Sequence, residues 1–260
     1  MIPVALTIAG SDPSGGAGIQ ADIKTFHQLG VYATSVLTLV TVQNTQSVKA
    51  VEVLSAELVG AQLEAVIEDI PPQAAKTGAL GNDRIILEIA RRASAFTFPL
   101  VVDPVMISKH GLPLMTERAR AILAAELLPH AYLVTPNLHE ASALAGMQIS
   151  DASDMEEAAR RIVKLGAAAA LVKGGHLAGD AIDVLFWKDE MRHFSSPRIE
   201  TRHTHGTGCT YSAAITAGLA QGLPLPQAIE KAKKFIFLAI QSHPGLGYGY
   251  GPVNHFVDVR

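Results

Sequence analysis

The densest chemistry in the chain lies in six consecutive residues, His205-Gly206-Thr207-Gly208-Cys209-Thr210, which carry its only cysteine and run directly into a small-residue helical stretch, Tyr211 to Gly222. Two glycines allow successive backbone N–H groups to turn into one concavity, and the helix that follows adds the positive end of its dipole. The segment can therefore hold the oxygens of a transferring phosphoryl group. Cys209 falls in the first helical turn, where a thiolate is favoured. The same residues also read as an ordinary glycine turn with a cysteine packed as a small hydrophobe. The rest of the chain has to separate the two.

Composition narrows the partners. The chain has 260 residues, of which 48% are hydrophobic, enough for one large core, so a single α/β domain over residues 1–260 is expected. A net charge of −3 without a lysine or arginine cluster argues against nucleic acid or a membrane surface as the main partner and points to small molecules. One cysteine excludes an internal disulfide framework. The first residues, Met1-Ile-Pro-Val-Ala-Leu6, lack the charged start of a signal peptide, and no apolar run nears the roughly 20 residues of a membrane span. A cytoplasmic location is expected.

Short apolar or β-branched runs alternate with helical patterns. Strands are expected over Val4–Ala9, Thr34–Val42, Ala74–Leu80, Leu100–Val105, Tyr132–Thr135 and Ala169–Lys173, and helices over Ile19–Leu29, Ala56–Asp69, Asp83–Ala93, Asp154–Leu165 and Gln227–Ser242. The strands are mostly continuous rather than alternating, as in a parallel sheet buried on both faces by helices. Asp183–Trp187 and Met191–Ser195, separated by Lys188-Asp189-Glu190, read as a hairpin that adds an antiparallel edge.

In such sheets ligands gather beyond the carboxyl ends of the strands. Polar elements fall there repeatedly: Gly10-Ser-Asp-Pro-Ser-Gly-Gly-Ala-Gly18 after the first strand, Asp103-Pro104, Pro136-Asn-Leu-His-Glu140, and Lys173-Gly-Gly-His176. The first glycine loop is not a dinucleotide fingerprint, because no G-x-G-x-x-G is present and Glu52 is a poor ribose-binding acid. Nor does a G-x-x-x-x-G-K-[ST] phosphate loop occur. His203 and His205 have no partners that would complete a zinc set; His205 is expected to shape the turn before Gly206.

Taken together and in order, Gly10-Ser-Asp-Pro-Ser-Gly-Gly-Ala-Gly-Ile-Gln-Ala-Asp22, Gln43-Asn-Thr45, Asp103-Pro-Val-Met106, Thr135-Pro-Asn-Leu-His-Glu140, Lys173-Gly-Gly-His176 and Thr204-His-Gly-Thr-Gly-Cys-Thr210 resemble the hydroxymethylpyrimidine/phosphomethylpyrimidine kinases of thiamin biosynthesis, in the ribokinase-like superfamily. The likeness runs from about Val4 to the Gly251-Pro-Val-Asn-His-Phe256 tail. It implies a ribokinase-like three-layer sandwich with a mostly parallel central sheet and helices on both faces. It also implies two ATP-dependent phosphorylations, of 4-amino-5-hydroxymethyl-2-methylpyrimidine and then of its monophosphate.

The resemblance assigns roles that the residue chemistry supports. Gly206, Thr207, Gly208 and Cys209 would form the anion hole, with Thr207 also against the nucleotide, and Lys173 would bring positive charge to its phosphates. Asn137 and Glu140 fit the superfamily's N-x-x-E pattern, with the asparagine near phosphate and Glu140, joined by Asp103, near Mg2+. Gln43, whose carboxamide offers both a donor and an acceptor, would read the aminopyrimidine; Gly10 and Asp12 would line the other side of that pocket, with Asp22 in support. Thr77 and Ala79 stand where the family often has isoleucine and methionine.

Cys209 occupies the place of the aspartate base in related sugar kinases, which argues against a sugar substrate; its thiolate would take the hydroxyl proton, or its backbone alone would matter. A pyridoxal or pyridoxine kinase and a catalytically silent pyrimidine sensor are the alternatives. A homodimer is expected by resemblance.

Overall fold

Strands that are apolar on both sides must be covered on both sides, and alternate residues of each strand feed two separate cores. The computed structural model describes residues 2–175 and 179–259. Its strands are β1 (Val4–Ser11), β2 (Tyr32–Gln43), β3 (Val48–Val53), β4 (Ala74–Thr77), β5 (Leu100–Val102), β6 (Leu133–Val134), β7 (Ala169–Lys173), β8 (Ala181–Trp187) and β9 (Glu190–Ser196). They form one nine-stranded sheet in the order β3-β2-β1-β4-β5-β6-β7-β8-β9. Pairing is parallel from β2 through β7 and antiparallel at both ends, β2 with β3 and β7 through β9.

The helices are α1 (Gly18–Gln28), α2 (Ala56–Asp69), α3 (Asp83–Ala93), α4 (Glu117–Ile122), α5 (Leu138–Ala145), α6 (Ala152–Val163), α7 (Thr207–Ala220) and α8 (Leu225–Gln241). Leu6, Leu100, Val102, Ala170 and Val172 point to the core shared with α2, α3, α5 and α6, whereas Ala5, Val101, Ala169 and Leu171 point to the core shared with α1, α7 and α8. This is the expected mixed sheet with helices on both faces. A fully buried leucine or phenylalanine side chain contributes about 1.5–3 kcal/mol. With Phe26, Leu63, Ile85, Ile89, Leu171 and Phe235 all fully buried, the strand ends have rigid support.

Helix boundaries follow their caps. Asn82 accepts from Ile85 N–H to start α3, whose buried Ile85, Ile86, Ile89, Ala90 and Ala93 make one stripe, and Asp83 and Arg91-Arg92 complement the dipole at its two ends. Asp151 accepts from Asp154 N–H, so α6 begins before the expected Asp154. Helix α7 is different: from Thr210 to Ala220 it is buried on every side, so its first turn cannot shift independently of the core.

The expected hairpin is present. Lys188 (φ 52°) and Asp189 (φ 61°) form its two-residue turn, both in the left-handed conformation that suits the twist of the flanking strands. Strands expected over Ala74–Leu80 and Leu100–Val105 stop at Thr77 and Val102, because there the chain turns off the sheet edge toward a cavity. Strand β3 had no clear signal: Val48-Lys-Ala-Val-Glu-Val53 is a half-polar edge strand whose formation depends on pairing with β2. His176, the last residue of one quoted motif, lies outside the described residues.

Candidate active site

The parallel strands deliver their carboxyl ends to one cavity of about 770 Å³. Every site residue expected from the sequence borders it except Asp22. Gly206 to Cys209 form its wall at the start of α7. No side chain caps this helix, and Thr210 N–H makes the first intrahelical bond, to Gly206 O at 2.8 Å. Thr207 N–H leans on Thr204 O at 3.3 Å, while the N–H groups of Gly208 and Cys209 have no acceptor among the described residues. A helix start leaves its first donors open unless something fills them.

One of the two glycines here, Gly206, is a structural requirement, whereas Gly208 has room for a Cβ at ordinary contact distance. Gly206 has φ 75° with the Gly16 carbonyl where a Cβ would stand, and a Cβ on Gly208 would lie 3.4 Å from Lys173 Nζ and 3.8 Å from Asp103 Oδ2. Lys173 and Asp103 thus lie close beside Gly208, the residue that carries one of the open donors.

Those charges form a connected group. Lys173 Nζ donates to Asp103 Oδ1 at 3.1 Å, and Asp103 also accepts from Thr135 Oγ1 at 3.3 Å and Ser212 Oγ at 3.2 Å. Burial works against the charge on Lys173, but Asp103 and Glu140 outweigh it and raise the lysine above its ordinary range. Glu140 is pushed up to about 7, by burial first and by Asp103, with Lys173 opposing. Asn137 and Glu140 make a reciprocal capping box at the start of α5: Asn137 N–H donates to Glu140 Oε2 at 2.9 Å, and Glu140 N–H to Asn137 Oδ1 at 3.0 Å. The N-x-x-E spacing thus shapes the helix start as well as placing an acid at the cavity.

Cys209 corrects one expectation. Its position in the first turn favours a thiolate, and Lys76 and the Gly18 N–H act in the same direction. Burial and the charges of Asp22 and Asp103 prevail, and the thiol is pushed up to about 12. In the unliganded chain it is neutral.

Asp22 is a second correction. Expected in support of the pyrimidine pocket as a substrate-binding residue, it is fully buried and does not border the cavity. Lys76 Nζ lies 2.8 Å from each carboxylate oxygen of Asp22, and Thr7 Oγ1 donates to Oδ2 at 2.6 Å. Lys76 is raised, against burial, by the charges of Asp22 and Asp103. Asp12 does border the cavity, but both its oxygens are engaged by Ser14, Gly16, Ala17 and His205, so it orders the loop rather than awaiting a ligand. Gln43 and Gly10 sit at this end; among the described residues the Gln43 carboxamide has no hydrogen-bond partner.

Sequence reasoning passed over Lys76, Ser212, and the buried pair of Lys233 Nζ and Asp183 Oδ2 at 2.6 Å. Lys76 carried a readable signal: a lysine inside the apolar run Ala74-Ala-Lys-Thr77 needs a buried partner.

The comparisons with known proteins point the same way. The phosphomethylpyrimidine kinase family model matches residues 12–254. The chain is 47% identical to the hydroxymethylpyrimidine/phosphomethylpyrimidine kinase of Bacillus subtilis, over 98% of this chain and 96% of that protein. It belongs to the phosphomethylpyrimidine kinase family. It is also 50% identical to the thiamine biosynthesis bifunctional protein ThiED of Geobacter sulfurreducens, of whose length it spans 53%. Among solved structures, family member phosphomethylpyrimidine kinase of Clostridium difficile aligns with TM-score 0.82 at 44% identity, covering 92% of this chain and 99% of that one. An ADP complex of Bacillus subtilis pyridoxal kinase aligns with TM-score 0.92 at 39% identity, covering 98% of each chain. The fold is thus ribokinase-like, and membership makes the chain a phosphotransferase.

Proposed function

We propose that this chain transfers the γ-phosphoryl group of ATP first to the hydroxymethyl oxygen of 4-amino-5-hydroxymethyl-2-methylpyrimidine and then to the phosphate of the resulting monophosphate. The observation that carries the reading is the pair of N–H donors at Gly208 and Cys209, open among the described residues, in the same cavity as Lys173 and a Gln43 carboxamide without a hydrogen-bond partner there. Family membership supplies the substrate class.

In the first reaction the hydroxymethyl oxygen forms a bond to the γ-phosphorus as the bond to the bridging oxygen of ADP breaks, and the hydroxyl proton passes to an oxygen of the transferred phosphoryl group. Lys173 and the two N–H donors meet the negative oxygens, where fixed donors in a water-poor site act strongly. In the second reaction the nucleophile is a phosphate oxygen, ionised at neutral pH, so no hydroxyl proton has to be removed. A fixed backbone hole serves both reactions. The neutral Cys209 contributes chiefly through its N–H.

The donor set suits Mg2+: two buried carboxylates, Asp103 and Glu140, the second raised to about 7 by burial and by the charge of the first despite Lys173, and no cluster of three or more ligating side chains among the described residues. Magnesium keeps several waters and takes few protein ligands. Asp103 and Glu140 would hold it, and it would neutralise charge on the nucleotide phosphates. Gln43, with Gly10, faces the aminopyrimidine, and Asn137 and Thr207 border the nucleotide. The working unit is proposed to be a homodimer, an expectation from resemblance, of single-domain chains in the cytoplasm; no described helix is long and apolar enough to cross a membrane. Sedimentation analysis checks the assembly.

A coupled ATP assay with hydroxymethylpyrimidine, its monophosphate and pyridoxal in parallel tests the function. Turnover of the first two is expected. Pyridoxal alone as substrate would move the assignment to a vitamin B6 kinase, and ligand binding without ADP release would indicate a sensor.

A further inference from the structure

Asp12 and His205 are remote in sequence and meet in the buried floor between two loops. His205 Nε2 donates to Asp12 Oδ2 at 2.8 Å, and the two side chains are 5% and 2% exposed. The same oxygen accepts from Gly16 N–H at 3.1 Å and Ala17 N–H at 2.8 Å, while Oδ1 takes the Ser14 N–H at 2.8 Å and its hydroxyl at 2.7 Å. Asp12 therefore holds closed the glycine-rich loop between β1 and α1, on the substrate side of the cavity. His205 in turn is fixed through its backbone, with its N–H donating to Gly251 O at 3.1 Å. The next residue, Gly206, sits directly on the Gly16 carbonyl and opens the anion hole.

We propose that the Asp12–His205 pair is a positioning device for phosphoryl transfer, tying the anion-hole turn to the substrate-side loop so that the phosphoryl group and the attacking oxygen meet in line. The inference rests on the kinase reading above. Neither residue is a catalytic residue: Asp12 has both oxygens engaged, and His205 acts through Gly206. Among the described residues it is the one ion pair that joins these two segments. Although burial favours the neutral acid, bonds from His205 and Ser14 hold the Asp12 carboxyl down at about 2, so the acceptor stays ionised over the working pH range. Misplacing reacting groups by about 1 Å can cost on the order of 10²-fold in rate.

The test uses the full chain with ATP and hydroxymethylpyrimidine. His205→Ala is expected to lower kcat by about 10–100-fold, with KM for both substrates within about threefold and the thermal midpoint measured alongside. His205→Gln, whose amide N–H reaches as far as Nε2, is expected to recover most of that loss; His205→Asn, one carbon shorter, is not. A folded His205→Ala chain with parental kcat, or one that loses only affinity, overturns the proposal. Should the alanine chain fail to fold, equal kcat for the glutamine and asparagine variants overturns it instead. Failure of the parent chain to turn over hydroxymethylpyrimidine would count against the kinase reading itself, and is seen before any variant is made.

Discussion

The two ends of the cavity are built on opposite plans. At the phosphate end, Asp103 is bound to Lys173 and Ser212 and Glu140 to Asn137, and Lys76 and Asp22 form a second layer of charge near Cys209. At the pyrimidine end, Gln43 is half-buried and without a partner among the described residues, and the neighbouring Val42 is 55% exposed. A transferring phosphoryl group presents the same oxygens whichever acceptor it reaches, so its surroundings can be fixed in advance. Recognition of a neutral ring needs groups kept open for that ring, and the cost of leaving them unpaired when the wrong ring enters is what discriminates.

The sharpest way to break the contrast is at the rigid end. Gly206→Ala places a methyl group against the Gly16 carbonyl in a left-handed turn, and kcat should fall by about 10²–10³-fold, the size of losing a donor from an anion hole. ADP affinity should change far less; a variant with near-parental kcat would mean that the turn is not held in this geometry.

A titration of stability probes the same end without catalysis. Glu140 lies at about 7 in the folded chain against 4.5 for an ordinary glutamate. An acid raised by folding contributes most below the unfolded value, and that contribution is lost as pH rises through the folded one. In the absence of Mg2+, Glu140→Gln should therefore gain on the parent by about 3 kcal/mol between pH 4.5 and pH 8 in denaturant unfolding. Adding Mg2+ at pH 8 should close the gap by stabilising the parent alone. A constant difference across pH would remove Glu140 from the charged group.

At the open end, Gln43→Ala should weaken hydroxymethylpyrimidine binding by about 1–3 kcal/mol and leave ATP binding unchanged, measured by calorimetry. Equal losses for both ligands would dissolve the division between the two ends.

The smallest effect is expected at Cys209. If its backbone N–H carries the contribution, Cys209→Ala should lower kcat by about tenfold or less, and by similar factors for the hydroxymethyl and monophosphate substrates. A loss of about 10²-fold or more confined to the hydroxymethyl substrate would return proton acceptance to the sulfur.

The sequence by itself determined the layered architecture, because continuous apolar strands such as Leu100-Val-Val102 and Ala169-Ala-Leu-Val172 can be buried only between two layers of helices. It also determined which polar strand-end residues border the cavity, since turn chemistry at Gly206, Asp103-Pro104 and Lys173-Gly174 is local and strand ends in such sheets converge. Boundaries were less legible: β3 and the early ends of β4 and β5 depend on neighbouring strands and on where the sheet gives way to the cavity. Only the tertiary structure decided the electrostatics. Placing Asp22 under Lys76 rather than against the pyrimidine, spending Asp12 on its own loop and on His205, and raising the Cys209 thiol despite its helix start all depend on burial and on charges brought together across tens to hundreds of residues of chain. Local spacing states which groups are available; desolvation and through-space neighbours, which exist only after folding, set their charge.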